Sequence, residues 1–145
     1  MYIGGMFTTF DIAFSGLRAE RARMNVVANN MANINTTHDQ YGNVEAYRRQ
    51  RVFFKAGAPE VTGSSHWGVS VDKVDTDPSQ LIHKYDPEHP DAIQEGEWAG
   101  YVAYPNIHPA TEMVDMMIAA RAYEANLTVM ESAKQLHRGA LQIIA

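Results

Sequence analysis

Residues 7–31 read FTTFDIAFSGLRAERARMNVVANNM, and the period of their apolar positions decides the fold. The series Phe7, Phe10, Phe14, Leu17, Arg21, Met24, Ala28, Met31 steps by three and four without a slip. That is a heptad seam, interrupted in polarity only at Arg21. Proline is absent from the stretch, so the spacing predicts one helix of roughly 25 residues, about 40 Å long at 1.5 Å per residue. Gly16 lowers its local helix propensity without ending it.

The pattern returns at the other end of the chain. Pro109 suits the first turn of a helix, and Glu112 puts a negative charge where the helix dipole favours one. From there Met113, Met116, Ala120, Tyr123, Leu127, Met130, Lys134, His137, Leu141 and Ile144 keep heptad steps. A second apolar row through Ala133, Leu136, Ala140 and Ile143 widens the stripe. Between the helices, residues 36–105 hold five of the six prolines and six of the ten glycines, which excludes long helices there. Short alternating runs remain: Arg51 to Phe54, Val69 to Val71, Leu81 to Tyr85, and Trp98 to Tyr104. The fold class expected is α+β, with long N- and C-terminal helices forming a coiled-coil-like arm and a small β-rich module between them. The divisions fall at 1–36, 37–105 and 106–145.

Composition narrows the function. Seventeen acidic against twelve basic residues give a net charge of -5, so the chain has no basic surplus for a nucleic-acid backbone. Zero cysteines remove disulfides, thiolate metal sites and thiol nucleophiles. Residues 1–6 lack the basic and apolar regions of a secretory signal, and no apolar run reaches the roughly 18 residues of a spanning helix. Arg21 breaks the seam that would have to enter a bilayer, so no direct membrane insertion is expected. His83, Asp86, Glu88, His89 and Asp91 share one loop and raise an alternative, a small metal-binding or hydrolytic enzyme. Their spacing matches no helical or finger pattern of ligands, and Pro87 and Pro90 make a solvated turn the simpler reading. No enzyme, cofactor, metal or catalytic residue is assigned.

The two seams carry more large apolar side chains than a small module can cover, at about 1.5–3 kcal/mol for each one buried. They are read as interfaces with other chains, with an intramolecular helical hairpin as the alternative. Phe7, Phe10, Phe14, Leu17, Met24 and Met31 on the first helix, and Met113, Met116, Tyr123, Leu127, Met130 and Leu141 on the last, are the interface candidates. Asn25, Asn29 and Asn33 lie on one helix face, where amides can fix register across an interface; alternatively Asn33 and Asn35 only end the helix. In the run Tyr47-Arg48-Arg49-Gln50-Arg51 the arginines either pair acidic neighbours in the assembly or coat a strand edge, and the first is slightly favoured.

The segment Ala28-Asn29-Asn30-Met31-Ala32-Asn33-Ile34-Asn35-Thr36-Thr37 resembles the signature of the flagellar basal-body rod and axial protein family. Ala46 to Gln50, Tyr85 to Ala92, Gly100 to Asn106, Glu112 to Met116 and Ala119 to Asn126 follow in order and are most similar to its proximal-rod members. The resemblance runs from Met6 through nearly the whole chain and is weakest over Lys55 to Trp67. It adds Asn30, Asn35, Tyr47, Arg48, Arg49, Glu124 and Asn126 to the interface candidates. It implies a structural subunit exported without a Sec signal through the flagellar type III export apparatus, which self-assembles helically into the periplasm-spanning rod of the basal body and transmits motor torque. Implied partners are other proximal-rod proteins, the distal-rod protein and the rod adaptor to the membrane ring. The chain departs from the family's common Asn-Thr-Pro-Gly-Phe ending at Thr37-His38-Asp39, which leaves that turn open.

Overall fold

A computed structural model describes residues 4–39, 41–62 and 67–144. Helix α1 spans Gly4–Ala32 and helix α3 spans Pro109–Ile144, at 29 and 36 residues. Between them come strand β1 (Gln50–Ala56), the one-turn helix α2 (Pro59–Thr62), and strands β2 (Val69–Thr76), β3 (Ile82–Tyr85) and β4 (Tyr101–Tyr104). The module is two separate two-stranded antiparallel sheets, β1–β2 and β3–β4. The fold is therefore α+β, two long helices around a small β module.

The long helices pack on each other in opposite directions. Gly16 on α1 abuts Asn126 on α3, while Asn30, fourteen residues further on, bonds to Glu112, fourteen residues earlier. A Cβ at Gly16 would lie 2.8 Å from the Asn126 side-chain nitrogen, so the missing side chain sets how closely the helices approach.

The face of α1 that is buried within the chain shares only Leu17 with the heptad seam. Ala13, Ser15, Gly16, Leu17, Ala19, Val26, Val27 and Asn30 are buried, whereas Phe14 is 47% exposed and Arg21 and Ala28 lie open. Small residues let the neighbouring elements come close, and close approach rather than side-chain size decides which stripe turns inward. The same holds on α3, where Ala119 and Ala133 are buried and Met113, Leu127, Lys134 and Leu141 are exposed.

One side of α1 supports the β1–β2 sheet. The Ser15 hydroxyl donates to the Ile12 carbonyl at 2.6 Å and accepts from the Val69 N–H at 3.1 Å, tying the start of β2 to the helix. The register shifts between Phe53 and Phe54, a bulge that skips Asp72 on β2. The Arg23 guanidinium lies 4.6 Å from the centre of the Phe54 ring and closes that side.

Among the described residues no Cα of β3 or β4 comes within 8 Å of one in either long helix. Strand β4 is shorter than the alternation from Trp98 suggests, because Ala99 bonds back to Gly96 and Gly100 takes a φ of +80°. The turn ends at Gly100, where a Cβ would meet the Tyr85 ring at 3.0 Å. Val102, Pro105 and Ile107 are buried where the chain passes from β4 to α3.

Candidate assembly interface

The geometry of the helix pair follows from one buried polar cluster at its closed end. Asn30 fills every hydrogen-bonding position of its amide. Its Nδ2 donates to the Gln50 carbonyl at 2.9 Å and to Glu112 Oε2 at 3.0 Å. Its Oδ1 accepts from the Gln50 N–H at 2.9 Å and from the Tyr47 hydroxyl at 3.2 Å. By meeting both the N–H and the C=O of Gln50, the side chain acts as one more strand residue beside β1. Only an amide can do this, since it alone offers donor and acceptor in that pairing.

Glu112 is fully buried, and its other oxygen accepts from Arg49 Nε at 2.6 Å. The Arg49 guanidinium also reaches Asp115 at 3.3 Å and Asp77 at 3.6 Å. Burial works against the Arg49 charge, but the Glu112 hydrogen bond and charge, then Asp115 and Asp77, outweigh it and hold the guanidinium above its ordinary pKa. Burial, with a smaller push from Glu112, raises the Tyr47 hydroxyl as well. A buried carboxylate is tolerable because a cation and an amide meet its two oxygens. The cluster fastens α1, β1 and α3 at one point and leaves Asn30, Tyr47 and Arg49 engaged inside the chain.

The Asn-rich end of α1 also has a local structure. Asn33 donates from both its N–H and its side-chain nitrogen to the Asn29 carbonyl, at 3.1 and 2.9 Å, while its Oδ1 accepts from the Thr36 hydroxyl. Asn33 thereby ends the helix. Asn25, Asn29 and Asn35 remain exposed. The turn left open by the sequence is closed by Thr37, whose buried hydroxyl donates to Asp91, and by His38, which lies 3.5 Å from the same carboxylate. That Thr37 bond, with His38 and His89 adding to it, holds the Asp91 carboxyl below its usual range.

The remaining candidates face outward to different degrees. Phe7 lies in α1, with its side chain outside the described residues. Phe10, Met24 and Met31 are half-buried, Leu17 is buried, and Phe14 is exposed. On α3, Asn126 is half-buried against Gly16, Met116, Tyr123 and Met130 are half-buried, and Met113, Glu124, Leu127 and Leu141 are exposed. Arg48 is exposed too.

Val114, Met117, Ile118 and Val129 also stand in water outside the heptad series, and Leu136, placed by the sequence in the second apolar row, is 74% exposed. For Val114, Met117 and Ile118 the sequence carries a signal, because a helix start that is apolar all round needs cover on two sides. Glu112 was read as a first-turn charge and not as a buried partner. Asp115, its i,i+3 neighbour, meets the same arginine, Arg49, which comes from far along the chain.

The His83–Asp91 loop is engaged elsewhere. His83 stacks on Trp98 at 4.3 Å and Asp91 is held by Thr37 and His38, while among the described residues no three His, Asp or Glu side chains gather in metal-binding reach. Among those residues no helix is long and apolar enough to cross a membrane.

Comparison with known proteins falls on the same elements. Residues 10–37 match the flagella basal body rod protein model, and residues 99–143 match the flagellar basal body rod FlgEFG protein C-terminal model. The flagellar basal-body rod protein FlgC of Borreliella burgdorferi is 42% identical over 97% of this chain and 98% of its own length. The protein of that name from Bacillus subtilis is 37% identical over 94% and 97%, and that from Aquifex aeolicus 38% over 90% and 91%. With both helical ends matched and relatives of this identity aligned almost end to end, the chain belongs to the flagellar basal-body rod protein family.

Proposed function

We propose that this chain is a structural subunit of the proximal rod of the flagellar basal body, where its outward helix faces are buried against neighbouring subunits. One observation carries the reading: in a chain of this family, many large apolar side chains of the helix pair, among them Phe14, Met113, Met117, Leu127 and Leu136, stand exposed. A stripe of that kind in water is a liability unless a partner covers it. Self-assembly and contact with other proximal-rod proteins, the distal-rod protein and the adaptor to the membrane ring supply that cover. Passage through the flagellar export apparatus and a rod crossing the periplasm belong to the same reading.

Torque transmission asks for subunits that do not shear internally. The Asn30–Glu112–Arg49 cluster supports this by pinning both helices to β1 in one place. The test is motility of cells carrying Phe14→Asp or Leu127→Asp with the protein at its normal level. Loss of swimming, with basal bodies lacking the variant subunit, is expected, because a carboxylate buried in an interface without a partner costs several kcal/mol. Swimming cells with normal hooks would contradict the interface assignment.

A further inference from the structure

The arginine run is divided by the fold. Arg49 is turned inward to Glu112, Asp115 and Asp77. Arg51 lies 3.7 Å from Asp77 and over the Phe53 ring. Arg48, one residue earlier, is exposed and forms no ion pair among the described residues.

Arg48 borders an open groove of 550 Å³ whose other walls are Pro78, Gln80, Leu81, His83 and Trp98. None of these is a carboxylate, so the groove carries one free guanidinium and no internal counter-charge. Trp98 is 44% exposed yet fixed, because His83 stacks on it at 4.3 Å and Tyr101 meets it edge-on at 5.5 Å. On its other side Arg48 adjoins a depression containing Asp39 and Glu45. Neither is in ion-pair distance of it, and the Asp39 carboxylate is filled by Tyr41 and Asn43.

We propose that this groove docks an acidic segment of a neighbouring protein subunit, with an Asp or Glu carboxylate on Arg48 and an apolar side chain against Trp98 and Leu81. The inference rests on the rod-subunit reading. Charge complementarity selects the occupant: a guanidinium takes a carboxylate on two parallel hydrogen bonds, and nothing in the groove competes for it. A rigid, part-exposed tryptophan beside an arginine is also the composition that dominates binding energy at protein–protein contacts. Preordering of Trp98 by His83 and Tyr101 removes part of the entropy cost of binding.

The experiment places a photo-crosslinking residue at the groove rim, Gln80→p-benzoyl-phenylalanine, in the full chain in motile cells, and irradiates isolated basal bodies. The expected result is an adduct with a neighbouring subunit, mapped to a segment with an acidic residue beside an apolar one. Adding Arg48→Glu is expected to lower the adduct at least tenfold while the purified chain melts as the parent does. An Arg replacing the mapped acid should restore it. Basal bodies that contain the chain but give no protein adduct, an adduct on a segment without a carboxylate, or an adduct unchanged by Arg48→Glu would overturn the docking assignment alone. A chain never recovered in basal bodies would overturn the rod reading as well.

Discussion

On α3 the buried side chains are small or hydrogen-bonded, whereas many of the large apolar ones are exposed. Glu112, Ala119 and Ala133 are buried and Asn126 abuts Gly16, and Met113, Val114, Met117, Ile118 and Leu136 face water. A self-contained helical hairpin has the opposite arrangement, with its largest apolar residues inside. The difference separates two tasks. The inner face gives the single chain a defined shape through close approach and one polar cluster, and the outer face holds most of the burial energy in reserve for assembly.

The inner face breaks most sharply at Asn30. Asn30→Asp removes both donated bonds and sets a second carboxylate against buried Glu112, so unfolding free energy should drop by about 3–5 kcal/mol at pH 7. Urea unfolding of the purified chain measures it. A drop under about 1 kcal/mol would mean that the cluster does not hold the helices.

A smaller effect comes from pH. The Ser79 hydroxyl and N–H, then Arg51 and Arg49, hold Asp77 below the ordinary carboxylate range, and Thr37, His38 and His89 do the same for Asp91. Groups with depressed folded values give stability that is complete above the unfolded carboxylate pKa and is lost as pH falls through the folded one. Melting temperature should therefore stay level from neutral pH to about 5 and fall below about 4, and Asp77→Asn with Asp91→Asn should flatten that fall. Glu20 has the opposite sign: burial, only partly offset by Arg23, raises its carboxyl, and its Oε2 is buried with no hydrogen bond. It favours folding slightly as pH drops toward its unfolded value, and Glu20→Gln should remove that small rise.

The least effect is expected at Gly16. Gly16→Ala forces the Asn126 amide aside, yet it gains about 1 kcal/mol of helix propensity, so the net change in stability should be near zero. A loss of several kcal/mol on chemical unfolding would show that the helix spacing cannot yield.

The helices were legible in the sequence because their apolar period persists and Pro109 and the Asn-rich turn mark ends. Their orientation was not, because the heptad steps through Phe14 and Leu127 track size, while burial follows the small residues one position away. The strands were legible from alternation, though their division into two sheets depends on Gly100 and the turn before it. The polar cluster was the least legible part. Asn30 stood out only within the Asn-rich motif, and Glu112, Arg49 and Gln50 meet it across the fold with no period to announce them.

The central claim is that the outer apolar side chains serve assembly and not the single chain. Met117→Asp and Leu136→Asp, at side chains 55% and 74% exposed, test it most directly when monomer stability and incorporation into basal bodies are measured on the same variants. The expected result is a melting temperature within about 2 °C of the parent, as for surface changes under 0.5 kcal/mol, with incorporation lost. Variants that melt as the parent and incorporate normally would contradict the claim.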